Sequence, residues 1–229
     1  MVDVTELSAQ EIVLERIPQA GNAAPSPEAG SFTLPELPVS ISIGRLAAER
    51  IVLGEAVLGE ALEARLEASA ELADGEGRTD LLLERSDDGP AGRLDLSAAF
   101  TNATGQFVLD LVAEEEAGGI AVSKLGIPGA PAARLSVQGD APISDFAASV
   151  GLVTDGQERL AGTVQLIGSD DGSQGFDVNL AGDLAPLWMP EYRDFFGDQI
   201  ALKASGDRSP EGVLRLRSFE MDAQAIDLS

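Results

Sequence analysis

Arg93-Leu94-Asp95-Leu96-Ser97-Ala98-Ala99-Phe100, followed by Thr101-Asn102-Ala103-Thr104-Gly105 and then Gln106-Phe107-Val108-Leu109-Asp110-Leu111, is the stretch that decides the fold. Leu94, Leu96, Ala98 and Phe100 alternate with Arg93, Asp95 and Ser97. Successive side chains on a strand point to opposite faces, so a period of two marks a strand with one buried face. Residues 102–105 offer a short turn, and Phe107, Leu109 and Leu111 carry the alternation onward. Together these features describe a β-hairpin.

The same alternation recurs on both sides. Upstream lie Val39, Ile41 and Ile43; downstream lie Leu135 with Val137, then Ala148, Val150 and Leu152, then Val164 with Leu166. Phe176, Val178 and Leu180 follow, then Ile200 with Leu202, and Leu214 with Leu216. Asp74-Gly75, Asp87-Asp88-Gly89, Asp155-Gly156, Asp170-Asp171-Gly172 and Gly206-Asp207 separate the runs as turn formers. The spacing predicts roughly 12–15 strands in an antiparallel-type architecture.

Two stretches depart from this rhythm. Residues 60–72 are rich in Ala, Glu and Leu, and Leu58, Leu62 and Leu66 also suit a helix. Yet Leu62, Ala64, Leu66, Ala68, Ala70 and Leu72 alternate without a break against Glu63, Arg65, Glu67, Ser69 and Glu71, which predicts a strand. Near 187–196 a short helix is expected, with Pro190 able to open it and Gly197 to close it. Its Trp188, Tyr192, Phe195 and Phe196 fall on one helical face, either capping the β core or docking a lipid or protein.

Residues 19–31, with Ala24-Pro25-Ser26-Pro27, read as a flexible loop, and 32–229 as the main β region. The last residues, Ala225-Ile226-Asp227-Leu228-Ser229, read as an interrupted strand, so residues 1–229 are taken as one internal fragment of a longer β-groove protein.

Composition then removes whole classes of function. A formal net charge of −24 repels phosphate backbones and anionic bilayers, which disfavours nucleic acid and peripheral membrane binding. The chain has neither Cys nor His, so thiolate chemistry, the commonest general base and the commonest transition-metal ligand are all absent. No cofactor, metal site or catalytic residue is expected. The Asp87 and Asp170 loops lack the ligand spacing of a calcium loop. Glu114-Glu115-Glu116 reads as a solvated strand end rather than a catalytic carboxylate pair. Gly118-Gly119 and Leu125-Gly126-Ile127-Pro128-Gly129 read as loops without a phosphate-binding frame. No run of about 18 apolar residues exists to span a bilayer.

What remains is the aliphatic strip. Its expected lining is Leu66, Leu94, Leu96, Phe100, Phe107, Leu109, Leu111, Leu135, Val137, Val164, Leu166, Phe176, Val178, Leu180, Leu202, Leu214 and Leu216. About 13 strands at ~4.8 Å spacing make a surface roughly 60 Å long. Closed on itself, the strip is core; curled partway, it is a trough that must hold something. An acyl chain of about 16 carbons gains on the order of 10 kcal/mol on leaving water.

Leu37-Pro38-Val39 leading to Ile43-Gly44-Arg45-Leu46-Ala47, then Ile51-Val52-Leu53-Gly54 and Val57-Leu58-Gly59, resembles the TamB family of translocation and assembly module subunits. That family belongs to the AsmA-like, bridge-type lipid-transfer proteins. Asp183-Leu184-Ala185-Pro186-Leu187, with Glu191-Tyr192-Arg193 and Phe195-Phe196-Gly197, is similar to a segment of its α-proteobacterial members. The resemblance covers nearly the whole chain through short, degenerate motifs. It implies an elongated curled sheet, taco-like or β-helical, with an apolar interior. It also implies a periplasmic body anchored in the inner membrane of a Gram-negative bacterium, with phospholipid acyl chains as cargo. An outer-membrane partner of the Omp85 type would be met through regions outside these residues. Two other readings stay open: a scaffold on which strands of outer-membrane proteins pair, and a β-sandwich or solenoid adhesin or carbohydrate-binding module.

Overall fold

Period-two patterning makes strands even where the residues favour helix, because one strand face must leave water. The computed structural model describes residues 2–16, 33–35, 39–169, 172–188, 197, 199–210, 212–223 and 226–228. The strands are β1 (Val2–Leu14), β2 (Ile41–Leu53), β3 (Leu62–Ala73), β4 (Glu76–Arg85), β5 (Gly92–Thr101), β6 (Gln106–Glu115) and β7 (Ala133–Pro142). Then come β8 (Asp145–Thr154), β9 (Gln157–Gly168), β10 (Gln174–Gly182), β11 (Ile200–Arg208), β12 (Leu214–Ala223) and β13 (Ile226–Leu228). Three short helices interrupt them: α1 (Glu55–Leu58), α2 (Ile120–Lys124) and α3 (Ala185–Trp188).

All 13 strands form one curled, open sheet in sequence order. Residues 62–73 are strand despite their Ala and Glu content, as their alternation predicts. The strand β1, upstream of the 19–31 segment, also joins the sheet. That segment lies outside the described residues.

Three expectations need correction. The sheet is not wholly antiparallel: β1 runs parallel to β2. Residues 15–40 connect them, long enough for the crossover that a parallel pair requires. Ala185–Trp188 is helical, and the rest of the helix expected near 187–196 lies outside the described residues; this helix is not the only one, as α1 and α2 show. Gly54 and Gly59 flank α1, and Gly119 begins α2. Those glycine-bounded segments are too short to show helical periodicity. Finally, Gly206-Asp207 is not a turn but lies within β11, beside a β-bulge against β12. The missing side chain of Gly206 leaves room for the Phe176 ring, and the turn comes later, where Ser209 N–H donates to Val213 O.

The connections alternate between two margins. At one lie two- to five-residue turns, 74–75, 102–105, 143–144, 169–173 and 209–213. At the other lie 54–61, 86–91, 116–132, 155–156, 183–199 and 224–225, which include every helix among the described residues. We call these the turn margin and the helical margin.

Candidate functional site

Register decides whether the apolar positions form one surface. Starting at Leu7, successive Cα partners run Leu7, Leu46, Ala68, Leu81, Leu96, Leu111, Val137, Val150, Gly162, Leu180, Leu202, Met221 and Leu228, one position from each of the 13 strands. No polar side chain enters this row. Positions directly opposite share a face, so the row is a continuous apolar line across the whole sheet.

The flanking rows agree. Towards the helical margin run Ala48, Leu66, Leu83, Leu94, Ala113, Leu135, Leu152 and Leu160. Towards the turn margin, Leu109 faces Gly139, and Ala148, Val164, Val178 and Ala204 continue that line to Phe219. Phe100 faces Phe107, and Phe146, Leu166, Phe176, Gly206 and Leu216 form the outermost line. The Phe107 and Phe146 rings lie 5.1 Å apart, and Gly139 makes room for the Phe146 ring.

Of the expected lining, Phe100 alone is fully buried. Leu66, Leu94, Leu96, Phe107, Leu109, Leu111, Val137, Val164, Phe176, Val178, Leu180 and Leu202 are half-buried. Leu135 and Leu166 are exposed, and so are Leu214 and Leu216 at 66% and 56%. Leu214 faces Arg208 at the turn margin, where the apolar surface ends. Tyr192, Phe195 and Phe196 of the expected aromatic helix face lie outside the described residues, as does the side chain of Trp188. Asp170-Asp171 lie outside them too.

Sequence reading missed several members of this face. Leu81 and Leu83 were hidden inside the run Leu81-Leu82-Leu83, where Leu82 shares the opposite face with Glu67 and Asp95. Phe219 and Met221 join only because the bulge at Ser205/Gly206 shifts the phase of β12.

The opposite face is a polar ladder. Two irregularities in β2 each present an arginine to carboxylates on both neighbouring strands. Arg45 pairs with Glu6 and Glu67 at 2.9 Å each, and Arg50 pairs with Glu11 at 2.7 Å and with Glu63. The hydrogen bond from Arg50 holds the Glu63 carboxyl below the usual range. Arg134 pairs with Glu114 farther along. A surface depression of 760 Å³ lies at the helical margin among Arg65, Glu84, Arg93, Glu114 and Arg134. Its lining mixes these charged side chains with Ala91, Ala132 and Val153, and Arg93 and Arg134 already hold carboxylates beside it. The apolar trough is the better site on chemistry.

At the helical margin the apolar face is covered by the chain itself. Val122 and Ile127 from the α2 connection pack with Leu184 and Leu187 from the α3 connection, Ile200 of β11 and Ala223 of β12. Leu187 and Val122 are each 1% exposed. The carboxylate of Glu115 accepts Ala121 N–H at 3.0 Å and Val122 N–H at 2.7 Å, satisfying donors that the start of α2 leaves open. Gly119 permits this, because a Cβ there would collide with that carboxylate. Glu115 is therefore a structural cap, a role its sequence context does not announce.

Two guanidinium groups anchor the covering loops. Arg159 donates to Thr154 Oγ1 and to Asp183 Oδ2, each at 2.8 Å, just before α3. Arg85 donates to Asp87 Oδ1 at 2.6 Å. Asp87 also accepts the Glu63 and Gly89 amides at 2.8 and 2.7 Å. Burial pushes the Asp87 carboxyl up, but these three hydrogen bonds together hold its pKa below the ordinary value. A 180 Å³ hollow lies where floor meets cover, among Leu62, Ala64, Leu83, Leu94, Arg85 and Ile120.

Among the described residues, no helix is long and apolar enough to cross a membrane, and no three His, Cys, Asp or Glu are grouped to hold a metal ion. Comparison with protein-family models, curated proteins and solved structures finds no match to this chain.

Proposed function

We propose that this chain is a non-catalytic trough that shelters phospholipid acyl chains, part of a lipid-conducting surface between the inner and outer membranes of a Gram-negative bacterium. One observation carries the reading. An unbroken apolar row crosses every strand, and from Leu46 to Met221 its members are half-buried, with no second sheet over them among the described residues. A soluble monomer rarely leaves so long an apolar surface without an occupant. Acyl chains fit because the row offers no hydrogen-bonding groups and continuous contact along its length. The resemblance of its short motifs to the AsmA-like, bridge-type family supports a periplasmic setting and membrane anchorage through other regions.

Mass spectrometry of lipids co-purifying with the intact chain tests this. Phospholipid is expected at near-stoichiometric occupancy, and a charge in the floor, as in Leu96→Asp or Leu109→Asp, should remove it while the fold persists. A lipid-free protein from lipid-rich cells, with circular dichroism showing an intact sheet, contradicts the reading.

A further inference from the structure

We infer that the trough takes lipids whose headgroups are net neutral and carry an ammonium group, and disfavours anionic lipids. This rests on the acyl-chain reading and adds a headgroup preference to it. A lipid lying on the apolar floor must bring its headgroup out where that floor meets water, at the ends of the strands. At the helical margin several cations are already taken: Arg85 is held by Asp87 at 2.6 Å with Glu60 at 3.6 Å, and Arg159 by Asp183. Arg16, Arg65 and Lys124 are exposed there without an ion-pair partner among the described residues, but carboxylates outnumber them.

The carboxylates at that margin are in excess. Glu55, Asp88, Glu116 and Asp155 lie in its connections and Glu158 starts β9; all are exposed, and none has an ion-pair partner among the described residues. Glu116 and Asp155 accept only the Ala91 and Ala132 amides, at 3.2 and 3.1 Å. At the turn margin the exposed carboxylates of Asp74, Glu76, Asp140 and Asp145 outnumber the exposed guanidinium groups of Arg78, Arg208 and Arg215, and Arg78 lies 3.7 Å from Asp80. A phosphodiester leaving the floor therefore meets unneutralised carboxylates at either margin. An ammonium on the same headgroup meets partners. The formal net charge of −24 adds a field of the same sign.

The test titrates the intact chain with fluorescent acyl-labelled phosphatidylcholine, phosphatidylethanolamine and phosphatidylglycerol, at low salt and near 1 M salt. The two zwitterionic lipids should bind about tenfold tighter than the anionic one at low salt, a difference of about 1.4 kcal/mol. The gap should close at high salt, where the screening length falls to about 3 Å. Combined replacement of Asp88, Glu116 and Asp155 by lysine should raise phosphatidylglycerol binding and leave phosphatidylcholine unchanged. Equal binding of all three lipids at low salt, or unchanged selectivity in the triple variant, overturns the headgroup inference and leaves the trough standing. Binding of none of them overturns the acyl-chain reading, and this inference with it.

Discussion

The covered and uncovered parts of one apolar face differ in what sits on them. At the helical margin Val122, Leu184, Leu187 and Ile200 bury one another almost completely. A few residues away, Leu81, Leu96, Leu111 and Val137 share the same face and remain half-exposed. The chain can therefore cover its own apolar surface with a short helix and a loop at the helical margin; at the turn margin Leu34, held by Asn102, lies over Gly77, and between the margins the described residues leave the floor open. The floor it leaves open is equally apolar, so the difference lies in the cover and not in the strands. That contrast is the reason to look for an external occupant.

The comparison breaks first where packing is tightest. Leu187→Ala removes a side chain with no route for the neighbours to collapse, and should cost about 3 kcal/mol in urea denaturation. Asp87→Asn is next, at about 1–2 kcal/mol at neutral pH, since a half-buried carboxylate with three donors loses its charge. Its folded pKa is lowered, so its contribution is full above the ordinary carboxylate pKa of about 4 and is lost as pH falls through the lowered value. Thermal melts at several pH values should show a flatter acid limb in the variant. Leu111→Ala, on the open floor, should cost at most about 1 kcal/mol in lipid-free protein, because little of its contact is lost. A cost near that of Leu187→Ala would mean the floor is covered after all. Arg50→Ala, in an exposed ion-pair ladder, should leave the melting temperature unchanged within error.

Much of this was legible in the sequence because the strand period survives local composition. Residues 62–73 read as strand from alternation alone, and the 94–111 hairpin fell at its expected place. Illegible features came from geometry that a period cannot encode. The parallel β1–β2 pair depends on where a long connection leads. Met221 and Phe219 enter the floor through a bulge seeded by one glycine. The covering cluster is built from helices of four or five residues, too short to show a helical period. Glu115 looked like one of three solvated carboxylates, and only the fold of the next connection makes it a cap.

The most direct test places a photoreactive side chain at Leu111 and, in a second protein, at its neighbour Val112. The two are adjacent in β6 and point to opposite faces of the sheet. Irradiation in cells, followed by mass spectrometry of the purified chain, should yield phospholipid adducts at Leu111 and none at Val112. Equal labelling of both positions, or adducts to polypeptide in place of lipid at Leu111, would contradict the account.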